Sequence, residues 1–180
     1  AYHHDGHADN AAACLHGGLC AVVPEPRKPI NLPRNLSPNV GFAYAAPSVG
    51  ISPRKVRRLL PSEVGHDVAV RSLGRATALA QGLALGDPEL IRISVEDELH
   101  VPYRLPLIAS AEEAIGAGYE AGAWAVTISG AGSGVIAMCD PENAEAVSNE
   151  MREVFLRGSG DSKCVGFSAV PDYEGLTRLL

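Results

Sequence analysis

The chain lacks several common signatures, and each absence excludes something. No two of its four cysteines, Cys14, Cys20, Cys139 and Cys164, stand in Cys-x-x-Cys spacing. That removes the usual zinc-knuckle and dithiol patterns. At 180 residues and 46% hydrophobic content the chain has enough core to do without disulfide staples. Reduced thiols in apolar core settings are expected. No apolar run is long and unbroken enough to span a bilayer, and no signal peptide opens the chain, so a soluble cytoplasmic protein without a membrane partner is expected. Basic excess is also missing: 15 Lys and Arg stand against 21 Asp and Glu, for a formal net charge of -6. The longest basic cluster, "RKVRR" at 54–58, reads as a solvated helix face. With no basic stripe, nucleic acid is not an expected partner. An initiating methionine is absent too. The chain opens on Ala1 and runs straight into the dense polar stretch "DGHADNAAACLHGG", which reads as a chain whose upstream part lies elsewhere.

What is present is well punctuated. Asp9 or Asn10 can cap a helix over about 9–16, and Gly17-Gly18 can end it. "LCAVV" (19–23) reads as a buried strand, the Pro- and Asn-rich stretch to about 38 as loop or irregular edge structure, and 40–49 as strand. Ser52 and Pro53 begin a helix that Pro61 stops. Helices are expected at about 65–85, with Leu73 and Leu83 on its apolar face, and from Asp87 to about 99. Pro102 and Pro106 make 100–108 a loop. A helix at about 110–121, strands at 123–129 and 135–139, a helix at 140–158 capped by Asp140, and a strand at 163–170 complete the pattern. From about residue 38 this order predicts an α+β fold, a ferredoxin-like antiparallel sheet with helices on one face. Residues 1–37 would be the tail of a preceding domain and 38–180 the second domain.

"SGAGSG" (129–134) invites a nucleotide-loop reading, but Val135 stands where a dinucleotide fingerprint needs its third glycine. No Gly-Lys-Ser/Thr loop is present, and a strand rather than a helix follows. A tight hairpin with glycines at positive φ is the simpler reading; a turn that lets a phosphate or another loop come close is the functional one.

Several polar residues have no plain structural job: His7, Asp9, Asn10, Arg57, His100 and Arg104. Two arginines fork onto a carboxylate and an aspartate pairs with an ammonium group, so the set suits an α-amino acid. Helix capping explains Asp9 and Asn10 equally well. His3, His4, Asp5, His7 and Asp9 also offer metal-ligand chemistry, although clustered histidines near a chain end are commonly adventitious sites.

The order of motifs resembles a known family. "GHADNAAACLHGGL", "ISPRKVRRLLP", "GDPELIRISVEDELHVPYRLPLI" and "GAWAVTISGAGSGVIAM" are similar to successive segments of the homoserine kinases, members of the GHMP kinase superfamily. The resemblance runs from Gly6 to the C-terminus. It implies transfer of the ATP γ-phosphate, with magnesium (Mg2+), to the hydroxyl of L-homoserine in threonine biosynthesis. It also implies an N-terminal domain of the ribosomal-protein-S5 type joined to a ferredoxin-like C-terminal domain. On this resemblance His7, Asp9 and Asn10 line the substrate pocket, Asp9 toward the amino group. Arg57 and Arg104 bind the carboxylate, with His100 supporting rather than touching substrate. Gly130, Ala131 and Gly132 shape the ATP site by packing against the phosphate loop. No catalytic base is required of these residues, because phosphoryl transfer rests mainly on positioning and charge. A homodimer is an arrangement the resemblance carries.

The family's phosphate loop, Pro-x-x-x-Gly-Leu-x-Ser-Ser-Ala, occurs nowhere in the chain. Pro53 replaces a frequent threonine, and Ser133-Gly134 a frequent Pro-Ser. The chain is therefore expected to be the C-terminal portion of a kinase, inactive alone. The alternatives are another GHMP small-molecule kinase and a non-catalytic ferredoxin-like module that binds an amino acid.

Overall fold

A computed structural model describes residues 8–23, 30–51, 58–159 and 163–177. Helix α1 (Ala8–His16) ends at Gly17 and Gly18, both at positive φ, with the Gly17 amide donating to the Ala13 carbonyl at 2.9 Å. Strand β1 (Leu19–Val23) follows and pairs antiparallel with β2 (Ile30–Arg34). The second strand is a regularly paired one, where loop or irregular edge structure is expected up to residue 38. Pro33 sits in β2 opposite Cys20. A two-stranded sheet has a free outer edge on each strand, so a residue without an amide donor is tolerated there.

The remaining elements are β3 (Gly41–Ala46), α2 (His66–Leu85), α3 (Pro88–Ser94), α4 (Val101–Arg104), α5 (Ala111–Glu120), β4 (Ala125–Ile128), β5 (Val135–Cys139), α6 (Ala144–Ser159) and β6 (Val165–Ala169). Four strands form one antiparallel sheet in the order β4-β5-β3-β6. With α5 before β4 and α6 before β6, this is the expected ferredoxin-like arrangement.

Strand alternation sorts the side chains into two clusters. Ala43, Ala45, Val126, Ile128, Val135, Ala137 and Cys139 meet Ala111 and Ala114 of α5 and Val147, Met151 and Phe155 of α6. The alanines on β3 keep the sheet surface low, so the two helices lie close to it and to each other. The expectation of helices on one face is corrected here, because α2 and α3 cover the opposite face: Phe42, Ala125 and Met138 meet Leu79, Leu83 and Ile91 of these helices, with Leu36 and Val40. Burial of a side chain such as Phe155 or Ile91 stabilises the fold by roughly 2 kcal/mol.

Local chemistry explains where the elements differ from expectation. Asp87 caps α3 as expected, accepting the Glu89 and Leu90 amides at 3.0 and 3.1 Å. That helix stops at Ser94 rather than near 99. Asp97 then captures backbone amides and starts α4 inside the stretch expected to be loop. Pro102 falls in the first turn of α4, where an amide has no intrahelical partner. At the last helix a 3₁₀ turn (Pro141–Asn143) precedes α6, and Asp140 makes no side-chain cap. On α2 the buried positions are Gly82 and Leu83, while Leu73 is 70% exposed. Cys139 and Cys164 are core residues, but Cys14 is exposed and Cys20 only partly covered. The helix expected at 51–61 lies largely outside the described residues; Arg58, Leu59 and Leu60 form a turn and bend.

Near the end of the chain, residues 172–176 return to α1. The Gly18 amide donates to the Asp172 carbonyl at 2.6 Å and the Leu176 amide to the Leu15 carbonyl at 3.3 Å.

Candidate functional site

The site is built around α4 and the turn between β4 and β5. In that turn the Ser129 amide donates to the Gly134 carbonyl at 2.8 Å, and the Gly132 amide to the Ser129 carbonyl at 2.9 Å. Gly130 and Gly132 have φ of 56° and 87°, a region costly for residues with a Cβ. The hairpin reading of "SGAGSG" is therefore the structural one. Gly132 packs under Ile108, where a Cβ would come within 3.0 Å of Cδ1, whereas the Cβ side of Gly130 faces open space.

Arg104, the last residue of α4, reaches across to this turn. Its Nη1 donates to the Gly130 carbonyl at 3.1 Å and lies 3.5 Å from Nδ1 of His100, one helical turn earlier. Nε is buried, and neither it nor Nη2 hydrogen-bonds to another described residue. A guanidinium edge with two parallel N–H donors matches the two oxygens of a carboxylate.

Asp97 organises the start of α4. Its Oδ1 accepts the amides of His100 and Val101 at 2.6 and 2.7 Å, and its Oδ2 lies 3.6 Å from Nε2 of His100. Burial of the imidazole pushes the His100 pKa down; the Asp97 charge pulls it up and the nearby Arg104 charge adds to the lowering. The segment before α4 is tied to α2 by ion pairs: Arg71 with Glu98 at 2.9 Å, and Arg75 with Glu96 at 2.6 Å and with Glu98 at 3.2 Å. A cavity of about 380 Å³ opens beside Asp97 and His100, between Arg75 and Leu79 of α2 and Thr127 and Met138 of the sheet.

Of the residues singled out in the sequence, Arg104 and Gly130 are brought into direct contact, with Ala131 and Gly132 in the same turn. Asp9 and Asn10 are exposed in the first turn of α1, with Asp9 Oδ1 accepting the Asn10 amide at 2.8 Å. No hydrogen bond or ion pair joins them to Arg104 among the described residues. A carboxylate there complements the positive end of the helix dipole. His7 and Arg57 lie outside the described residues, as do His3, His4 and Asp5. Among the described residues no cluster of three or more His, Cys, Asp or Glu could hold a metal ion. Asp97 escaped notice in the sequence. Its signal, an aspartate four residues before the helix start that can accept backbone amides, was masked by the two prolines that read as loop.

Residues 78–156 match the family model described as GHMP kinases C terminal. The chain is similar to homoserine kinases. It is 38% identical over 148 residues to the homoserine kinase of Synechococcus sp. (strain CC9605), a match covering 82% of this chain and 47% of that protein. It is also 38% identical over 148 residues to that of Prochlorococcus marinus (strain MIT 9303), with the same coverage of 82% and 47%. The crystal structure of homoserine kinase from Cytophaga hutchinsonii superposes with a TM-score of 0.78 at 26% identity, covering 93% of this chain and 52% of that one. A putative homoserine kinase from Listeria monocytogenes shares the fold, with a TM-score of 0.67 at 17% identity over 97% of this chain and 56% of that one. The chain spans about half the length of the curated relatives it matches. No described helix is long and apolar enough to cross a membrane.

Proposed function

We propose that this chain is the substrate-holding portion of a homoserine kinase, which phosphorylates the hydroxyl of L-homoserine with ATP and magnesium. The observation that carries the reading is Arg104. Its guanidinium is fastened at one end to Gly130, and its Nε–Nη2 edge has no hydrogen-bond partner among the described residues. That edge would hold the amino-acid carboxylate, with Arg57 as the second clamp. Asp9, with His7 and Asn10, would meet the ammonium end. Another GHMP kinase whose substrate lacks a carboxylate would have no use for such an arginine.

The described residues do not make a triphosphate cradle. The glycine turn leads into β5 rather than a helix, and its Gly132 amide is engaged by Ser129. Gly130, Ala131 and Gly132 would instead lie against a phosphate-binding loop contributed by sequence beyond these 180 residues, the open side of Gly130 leaving room for it. The chemical step is therefore not assigned to this chain; its share is to hold and orient the amino acid. Among the described residues β1 and β2 form a sheet separate from β4-β5-β3-β6, which supports a domain boundary near residue 37, with the first residues belonging to a preceding domain of the S5 type.

The test is a phosphorus NMR assay of the full-length protein with ATP, magnesium and one acceptor at a time: L-homoserine, mevalonate or galactose. Formation of a phosphate monoester with homoserine alone supports the reading. Turnover of either other acceptor, or of none, overturns it.

A further inference from the structure

We propose that Asp97 and His100 are positioning residues that hold the Arg104 guanidinium in the orientation that receives a substrate carboxylate. The inference rests on the carboxylate reading of Arg104 given above. An unrestrained arginine carries about 2 kcal/mol of rotamer freedom, and a forked contact works best when that freedom has already been removed. The bond from Nη1 to the Gly130 carbonyl fixes one point of the guanidinium and leaves its plane free to turn. The His100 ring, with Nδ1 at 3.5 Å from the same Nη1, supplies the second restraint.

A cation faces Nδ1 favourably only when that nitrogen presents its lone pair, which places the ring proton on Nε2. Oδ2 of Asp97, 3.6 Å from Nε2, favours that tautomer by its charge. Oδ1 of the same carboxylate accepts the amides of His100 and Val101. Asp97 thus sets both the direction of α4, which ends in Arg104, and the tautomer of the ring that faces Arg104. Its neighbours Glu96 and Glu98 moor this segment to Arg75 and Arg71 on α2.

Asp97→Asn separates the two tasks. Its oxygen can still accept the two amides, since asparagine is a good helix cap, but its amide group then faces Nε2 and the charge is gone. In the full-length enzyme, D97N is expected to raise the homoserine KM about tenfold and to leave kcat and the ATP KM within about twofold. His100→Leu should do the same. The double variant should lose no more than either single one, because both act through one guanidinium. His100→Asn, whose oxygen falls near the place of Nδ1, should retain most of the wild-type affinity. A merely structural role would lower thermal stability and show no rescue by H100N.

A second readout needs no catalysis. The Arg104 Nε–H resonance of the nitrogen-15-labelled protein should be sharp and slow to exchange in wild type and H100N, and lost in D97N and H100L. An unchanged resonance in D97N, or additive losses in the double variant, overturns the proposal. If Arg104→Ala leaves the homoserine KM unchanged while D97N still releases the resonance, the carboxylate reading fails and the positioning role stands.

Discussion

The Arg104 guanidinium is fastened to the glycine turn: Nη1 donates to the Gly130 carbonyl at 3.1 Å across 26 residues of sequence. One side chain thereby links α4, which faces the amino acid on the proposed reading, with the β4–β5 turn that would border ATP. Arg104→Ala should raise the homoserine KM of the full-length enzyme by about 100-fold, the scale of losing a forked charge-assisted contact. The ATP KM should move far less, by the relaxation of one turn. Arg104→Lys should recover little, because an ammonium group cannot hold Gly130 and present a flat two-donor edge together. Equal losses for both ligands would assign Arg104 to the turn rather than to the substrate.

The 180-residue chain by itself should bind ATP weakly. Its glycine turn has no helix behind it and its Gly132 amide is already engaged. Titration calorimetry with and without magnesium checks this; tight, magnesium-dependent binding by this chain alone would show that the phosphate site lies within it.

Legibility followed the physics of each stretch. The β4–turn–β5 unit could be read because glycines at 130, 132 and 134 and flanking β-branched residues act locally. Asp87 marked the start of α3 for the same reason. The failures came where a side chain acts beyond its own element. The Pro-rich composition around Pro33 points to loop or irregular edge structure, whereas the strand there is set by pairing with residues 19–23. Pro102 and Pro106 hid α4, whose start depends on Asp97. Leu73 fits the helical period but is exposed, since the sheet face it would need is taken by Leu79 and Leu83. For the site, Arg104 and the turn could be named from motif resemblance, while the bond between them could not.

Gly134 tests the packing beneath the turn. A Cβ there would overlap the Tyr44 hydroxyl and lie 2.6 Å from ring Cε2. Tyr44 cannot swing away freely, because its ring packs on Phe167 with centroids 5.0 Å apart. Gly134→Ala should cost about 1–3 kcal/mol in urea unfolding, the range for overpacking a filled site. In a Tyr44→Ala background the same substitution should cost almost nothing. A similar cost in both backgrounds would locate the strain in the backbone rather than in this contact.

The His100 ring gives the stability a sign with pH. Burial, aided by the Arg104 charge and opposed by Asp97, holds its pKa below the ordinary 6.5. Arg75 and Glu96, across the cavity it lines, are paired with each other and add little net field. On acidification below 6.5 the unfolded chain takes up a proton that the folded chain resists. The unfolded state then binds more protons, so this group's contribution is full above that pH and is lost as pH falls. Urea unfolding of wild type and H100N at pH 7.5 and pH 5.5 measures it. Wild type should lose stability relative to H100N at the lower pH, and its Arg104 Nε–H resonance should begin to exchange there, since a protonated Nδ1 repels the guanidinium. A gain for wild type at pH 5.5 would mean that the Asp97 charge outweighs burial at this ring.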